Sequence, residues 1–153
     1  MQTFLPFADF AQSMRCLDWR RLGKQRAEAK QVVKALLKAG MGRKYGWTRH
    51  TAVRMWAGHE LAVIQYGTAA CDEWIRRGYR DRTRRWFTKV QKLIASKWTP
   101  ERIDAASKIP AWVSDPAFNE AHRSNLIRKL PEHYSPQFPG TVAGLPYVWP
   151  TSG

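Results

Sequence analysis

The sequence is short of acid. Only 12 Asp and Glu stand against 26 Lys and Arg, for a formal net charge of +14 and a pI near 10.4. An imbalance of that size argues against a surface made for neutral or cationic partners and calls for a polyanion. Nucleic acid comes first, because neutralising phosphates with Lys and Arg supplies most sequence-independent affinity. Cysteine is scarce too. Cys16 and Cys71 are too few and too far apart for a disulfide framework or a zinc site, and four scattered His do not make a metal cluster. No metal and no cofactor are therefore expected, and both thiols read as small buried hydrophobes. Long apolar runs are missing as well. Nothing approaches the roughly 20 residues that span a bilayer, and MQTFLPFADF has no basic stretch leading into an apolar signal core. The expectation is a cytoplasmic, nucleoid-associated protein without a membrane partner.

What is present is a folded scaffold beneath the charge. The 153 residues are 44% hydrophobic and 12% aromatic, too rich for a disordered basic tail. One domain over 1–153 is expected. Asp9 is placed to cap a brief helix to about Cys16, and Asp18 a second running to about Ala39, stopped by Gly40 and Gly42. Residues 52–77 read as one long helix, or a short helix leading into a longer one, closed by Gly78. A basic helix is expected over Asp81–Ser96 with Trp86, Val90, Leu93 and Ile94 inward. Trp98-Thr-Pro100 restarts the chain. Ser114-Asp-Pro116 looks like the start of a last helix to about Lys129. From Pro131 onward Pro and Gly become dense, and 131–153 reads as an extended tail held to the body by its aromatics. With no strand alternation and no repeat, the fold class is all-α, and Trp56, Trp74, Trp98, Trp112 and Trp149 are assigned to its core.

The second helix carries the most information. Leu22, Ala29, Val32, Val33 and Leu36 form one apolar stripe, while Arg20, Lys24, Arg26, Lys30, Lys34 and Lys38 fall opposite it. A solvated face normally mixes signs, since like charges four residues apart destabilise a helix, so a phosphate-binding face is the favoured reading. Glu28 is the helix's one acid. The wheel sets it at the border of the two faces beside Arg21 and near Gln25, as a partly desolvated carboxylate among cations. An ordinary pair with Lys24 is the competing reading.

The run Asp18-Trp-Arg-Arg-Leu-Gly-Lys-Gln-Arg-Ala-Glu28 resembles the N-terminal signature of the endonuclease V-type pyrimidine-dimer DNA glycosylases. By that resemblance Glu28 takes the position of the catalytic glutamate and Arg21 a position where the family often has His. His50-Thr-Ala-Val-Arg-Met-Trp-Ala-Gly-His59-Glu60 is similar to the family's Gly-His pair at the start of a long helix. The resemblance covers roughly residues 1–80. It implies a DNA glycosylase, with lyase chemistry where the α-amine of the N-terminal residue attacks C1′ and the glutamate assists sugar opening. Such amines titrate near about 8 and are good nucleophiles at neutral pH. The chain departs from the pattern at its start. Gln2 is a bulky penultimate residue, so Met1 is expected to be retained, and the Met1 amine or a water activated by Glu28 would have to attack.

Other basic and aromatic stretches complete the expected DNA surface. Arg43, Lys44, Arg49 and His50 flank Tyr45 and Trp47 in a loop suited to stacking beside an extruded base, although Trp47 equally suits a core. Arg76, Arg77, Arg80, Arg84 and Arg85 cluster around a helix break, a form suited to bidentate phosphate contacts. His59 joins them through the motif. Further on, His122, Arg123, Asn125, Arg128 and Lys129 place polar groups near the last helix, to bind phosphate or add to the pocket. The expected substrate is double-stranded DNA with one extruded, damaged or modified base, and the expected state is a monomer. A non-catalytic DNA- or RNA-binding protein explains the same charge and is the alternative.

Overall fold

The computed structural model describes residues 1–150. Among them the chain forms helices and no strand: α1 Phe10–Cys16, α2 Trp19–Gly40, α3 Thr51–Arg54, α4 Glu60–Arg76, α5 Thr83–Lys97, α6 Pro100–Ser107, α7 Pro116–Lys129 and α8 Pro131–Tyr134. A 3-10 turn at Ala111–Ser114 precedes α7. The all-α expectation holds. The helix starts are set by side-chain caps that satisfy the free N–H groups of a first turn. Asp9 accepts from Gln12, Asp18 from Arg21, Thr99 from Arg102 and Asp115 from Ala117. Pro100 and Pro116 occupy first-turn positions where no N–H is missed. Gly42 and Gly78, at φ 70° and 92°, turn the chain just beyond α2 and α4.

The core is centred on α2 against α4, with α1, α5 and α6 also on α4. The whole apolar stripe of α2 is buried, and it meets Leu61, Val63, Ile64, Tyr66 and Ala70 of α4 in one cluster with Leu5, Met14 and Trp56. Cys16 and Cys71 are free and buried, and burial pushes both thiols up to about 12. No described helix is long and apolar enough to cross a membrane.

Three expectations need correction. In α5 the inward residues are Phe87 and Ile94, while Leu93 is 52% exposed and Trp86 and Val90 are only partly covered. The cause is Gly67 on α4, where an added Cβ would lie 2.3 Å from Phe87 Cζ, so α5 docks through bare backbone and turns Phe87 inward. The tail is not extended from its start, because Pro131–Tyr134 makes a helical turn whose Tyr134 stacks on buried Phe138. Trp149 is 38% exposed and not a core residue. Beyond Gly140 the tail is held by α7, where Ser124 donates to the Val142 carbonyl and accepts from Leu145 N–H, and Asn125 donates to the Leu145 carbonyl. The expected tail's last residues, 151–153, lie outside the described residues.

Candidate active site

Residues 2–6 are buried yet belong to no helix. Buried backbone groups must find partners, so this segment depends on side chains. Gln2 N–H donates to Glu28 Oε2 at 2.9 Å, Phe4 N–H to Gln25 Oε1 at 3.0 Å and Leu5 N–H to His122 Nδ1 at 2.9 Å. The carbonyls of Phe4, Leu5 and Pro6 accept from Tyr66, Asn119 and Arg123 respectively, and Thr3 Oγ1 accepts from Trp56 Nε1. α2, α4 and α7 thus grip the N-terminal segment almost residue by residue. The grip delivers Met1 one residue from the nitrogen that rests on Glu28.

The cleft that Met1 lines has a volume of about 1000 Å³. It is lined by Gln2 and Phe4, by Trp19, Arg20, Arg21, Lys24, Gln25 and Glu28 of α2 with the cap Asp18 before them, and by Lys129, Leu130, Glu132, His133 and Tyr147 from the C-terminal part of the chain. Cations outnumber acids there. Burial would raise the Asp18 carboxyl, but hydrogen bonds from Tyr134 and Arg21 outweigh it and hold Asp18 below its ordinary value. Arg21 is therefore anchored at 3.1 Å from Asp18, about two turns of α2 before Glu28. Burial, then the neighbouring charges of Arg21, Arg128 and Lys24, lower Lys129, as expected where cations crowd without enough anions.

Of the residues singled out from the sequence, Met1, Arg21, Lys24, Gln25, Glu28 and Lys129 converge on this cleft. Several of the expected DNA contacts are engaged within the fold. Gln25 is buried and holds Phe4 and Tyr66, so its carboxamide oxygen is not free for DNA. His122 is fully buried among the rings of Phe4, Phe118 and Tyr147, and burial pulls it down to about 3. It is neutral and accepts at Nδ1, which leaves the proton on Nε2. Arg123 is committed to the Pro6 carbonyl and Asn125 to Ala121 and the tail. These α7 residues reach the site through the N-terminal segment and the tail, not through phosphate.

The basic face of α2 also divides. Arg26 is ion-paired with buried Asp81 and lies over Trp74, Lys30 and Lys34 lie over Trp86, and Lys38 over Tyr45. Arg26 in particular is an internal cation. Around the α4–α5 break, Arg76 and Arg77 both pair with Glu73, Arg77 also donates to the Met14 and Arg15 carbonyls, and Arg84 pairs with Asp72. Arg80, Arg85, Arg43, Lys44, Arg49 and Arg128 are exposed, but none lines the cleft. Trp47 stands edge-on to His50, which caps α3, and His59 is within 2.7 Å of the Lys108 carbonyl. All three lie outside the cleft.

The cleft also gathers residues not assigned to the site from the sequence, among them Asp18, Trp19, Gln2 and Tyr147. Asp18 was visible only as a cap and Trp19 had no neighbour to mark it. Gln2 carried a signal, a polar residue in an apolar lead, while Tyr147 comes from the tail and carried none.

The chain is an all-helical scaffold that clamps its own N-terminal segment against a carboxylate beside a cleft lined by Arg, Lys, Asp and Glu. Residues 1–88 match the pyrimidine dimer DNA glycosylase family, and the chain belongs to that family. No curated protein and no solved structure matches the chain. Among the described residues no group of three or more His, Cys, Asp or Glu could hold a metal ion.

Proposed function

We propose that the protein is a DNA glycosylase that removes a damaged or modified pyrimidine base, with Glu28 as the catalytic carboxylate and the Met1 α-amine as the nucleophile. The observation that carries this reading is the Gln2 N–H on Glu28, which supports an amine one residue away at the carboxylate's edge. In the reaction the amine nitrogen bonds to C1′ and the bond from C1′ to the base breaks. The base leaves with the electron pair and takes up a proton. The amine gives its proton to Glu28, which returns it to O4′ as the C1′–O4′ bond opens to an imine. The carboxylate also stabilises the positive charge that develops at the sugar. Elimination of the 3′ phosphate from the imine would then cut the strand. Arg21, fixed by Asp18, and Lys24 and Lys129 are the cleft cations for the flanking phosphates.

Glu28→Gln separates this reading from a binding protein on the same fold. Base release from DNA carrying pyrimidine lesions should be lost while salt-dependent DNA affinity changes little. If wild type and variant release no base from any lesion tested but bind DNA alike, the binding-protein reading takes its place.

A further inference from the structure

The cleft is longer than the reacting group needs. Trp19, the first residue of α2, is the α2 lining residue farthest along the helix from Glu28, nine residues and so about 13 Å away along the helix axis. It is 54% exposed and lies outside the core cluster, so its ring is not there to stabilise the fold. The helix start that carries it is fixed. Asp18, immediately before it, is buried, caps the helix and is bonded by Tyr134 and Arg21. The Arg20 guanidinium lies 5.3 Å from the Trp19 ring centre, on the side of the same mouth. Between Trp19 and Glu28 in α2 the lining includes Arg20, Arg21 and Lys24, and Lys129 lines the cleft with them. An aromatic plane at one end of a cation-lined groove is the arrangement that holds an unpaired strand, with phosphates on the cations and a base on the ring. A duplex base pair is stacked on both sides and offers no free face to such a plane.

We propose that Trp19 stacks a second unpaired base, so that the cleft takes a single-stranded stretch of more than one nucleotide and not a lone nucleotide extruded from an intact duplex. This rests on the reading of the cleft as the base-excising site and adds the form of DNA it accepts. The other three exposed aromatics do not compete. Trp47 and Trp149 are outside the cleft, and Tyr79 is already stacked on Trp74.

The test is binding of a short fluorescein-labelled oligothymidylate, of thymidine monophosphate and of a blunt duplex of the oligomer's length to the full chain, as wild type, Trp19→Ala and Trp19→Phe. Trp19→Ala should lose about ten-fold or more in affinity for the oligomer, with the mononucleotide and the duplex nearly unchanged and most of the loss restored in Trp19→Phe. Equal affinity of wild type and Trp19→Ala for the oligomer overturns the proposal, as does an equal loss for the duplex, which would make Trp19 a general DNA contact. Base release by the wild type is measured in the same preparation. Its absence would count against the glycosylase reading whatever Trp19 does, whereas released base with an indifferent Trp19 would count against this proposal alone.

Discussion

The two cationic sides of α2 differ in what faces them. On the cleft side Arg20, Arg21 and Lys24 share open space with Glu28, and Lys129 adds charge, so that these four cations line the cleft with three acids, Asp18, Glu28 and Glu132. On the other side Arg26, Lys30 and Lys34 lie over Trp74 and Trp86, and Arg26 is paired with Asp81, whose side chain is 1% exposed. The same residue types thus face an open cleft on one side and are engaged by the fold on the other. Sequence charge alone does not distinguish them, because cation–π contacts and a buried ion pair consume cations that a helical wheel counts as free.

Opposite substitutions should break that comparison cleanly. Glu28→Gln is expected to lower base release at least 100-fold, the scale of a lost acid–base group, while thermal unfolding stays within a few degrees. Asp81→Ala should do the reverse. Stranding Arg26 costs about 3 kcal/mol of stability in chemical denaturation, with the activity of the remaining folded protein intact. Loss of activity per folded molecule in Asp81→Ala would mean that the two sides are coupled.

A third expectation concerns His122, which joins α7 to the N-terminal segment. Its folded pKa, about 3, lies below the ordinary value of 6.5 because of burial. The neutral form is favoured by folding, so the unfolded chain binds the extra proton as pH falls. Stability is fully present above about 6.5 and declines by about 1.4 kcal/mol for each pH unit below it, until the folded pKa is reached. Denaturation measured from pH 7 to pH 4.5 should show this slope in the wild type and a flatter one in His122→Gln, whatever that variant's overall stability. The paired carboxyls of Asp18, Glu73 and Asp81 are held low and add their loss only nearer pH 4 and below.

Smaller effects sharpen the contrast. Lys24→Ala should reduce the salt dependence of DNA binding by about one phosphate contact, and Lys34→Ala should leave the slope unchanged. Arg84→Ala breaks a pair in which both side chains are half exposed, and its effect on stability should stay below about 0.5 kcal/mol.

The helices were legible because their signals are local. Asp9 and Asp18 cap where expected, the last helix starts within the expected Ser114-Asp-Pro116, and the α2 stripe is buried as its spacing required. Glu28 was legible as well, as a lone acid at a face boundary. The rest depends on contacts far apart in the chain. Nothing near His122 announces that it will receive an N–H from Leu5, 117 positions away, nor near Tyr147 that the tail will return to the cleft. Phe87 was missing from the expected inward set, and Leu93 wrongly in it, because the decisive residue, Gly67, lies on another helix.

The most direct test is borohydride trapping on DNA carrying pyrimidine lesions, with the adduct mapped by mass spectrometry of the digested protein. Free base together with a reduced adduct on the Met1 amine, both absent in Glu28→Gln, is the predicted result. Free base with no adduct would assign the attack to water activated by Glu28, and an adduct on Lys24 or another lysine would contradict the placement of the nucleophile beside Glu28.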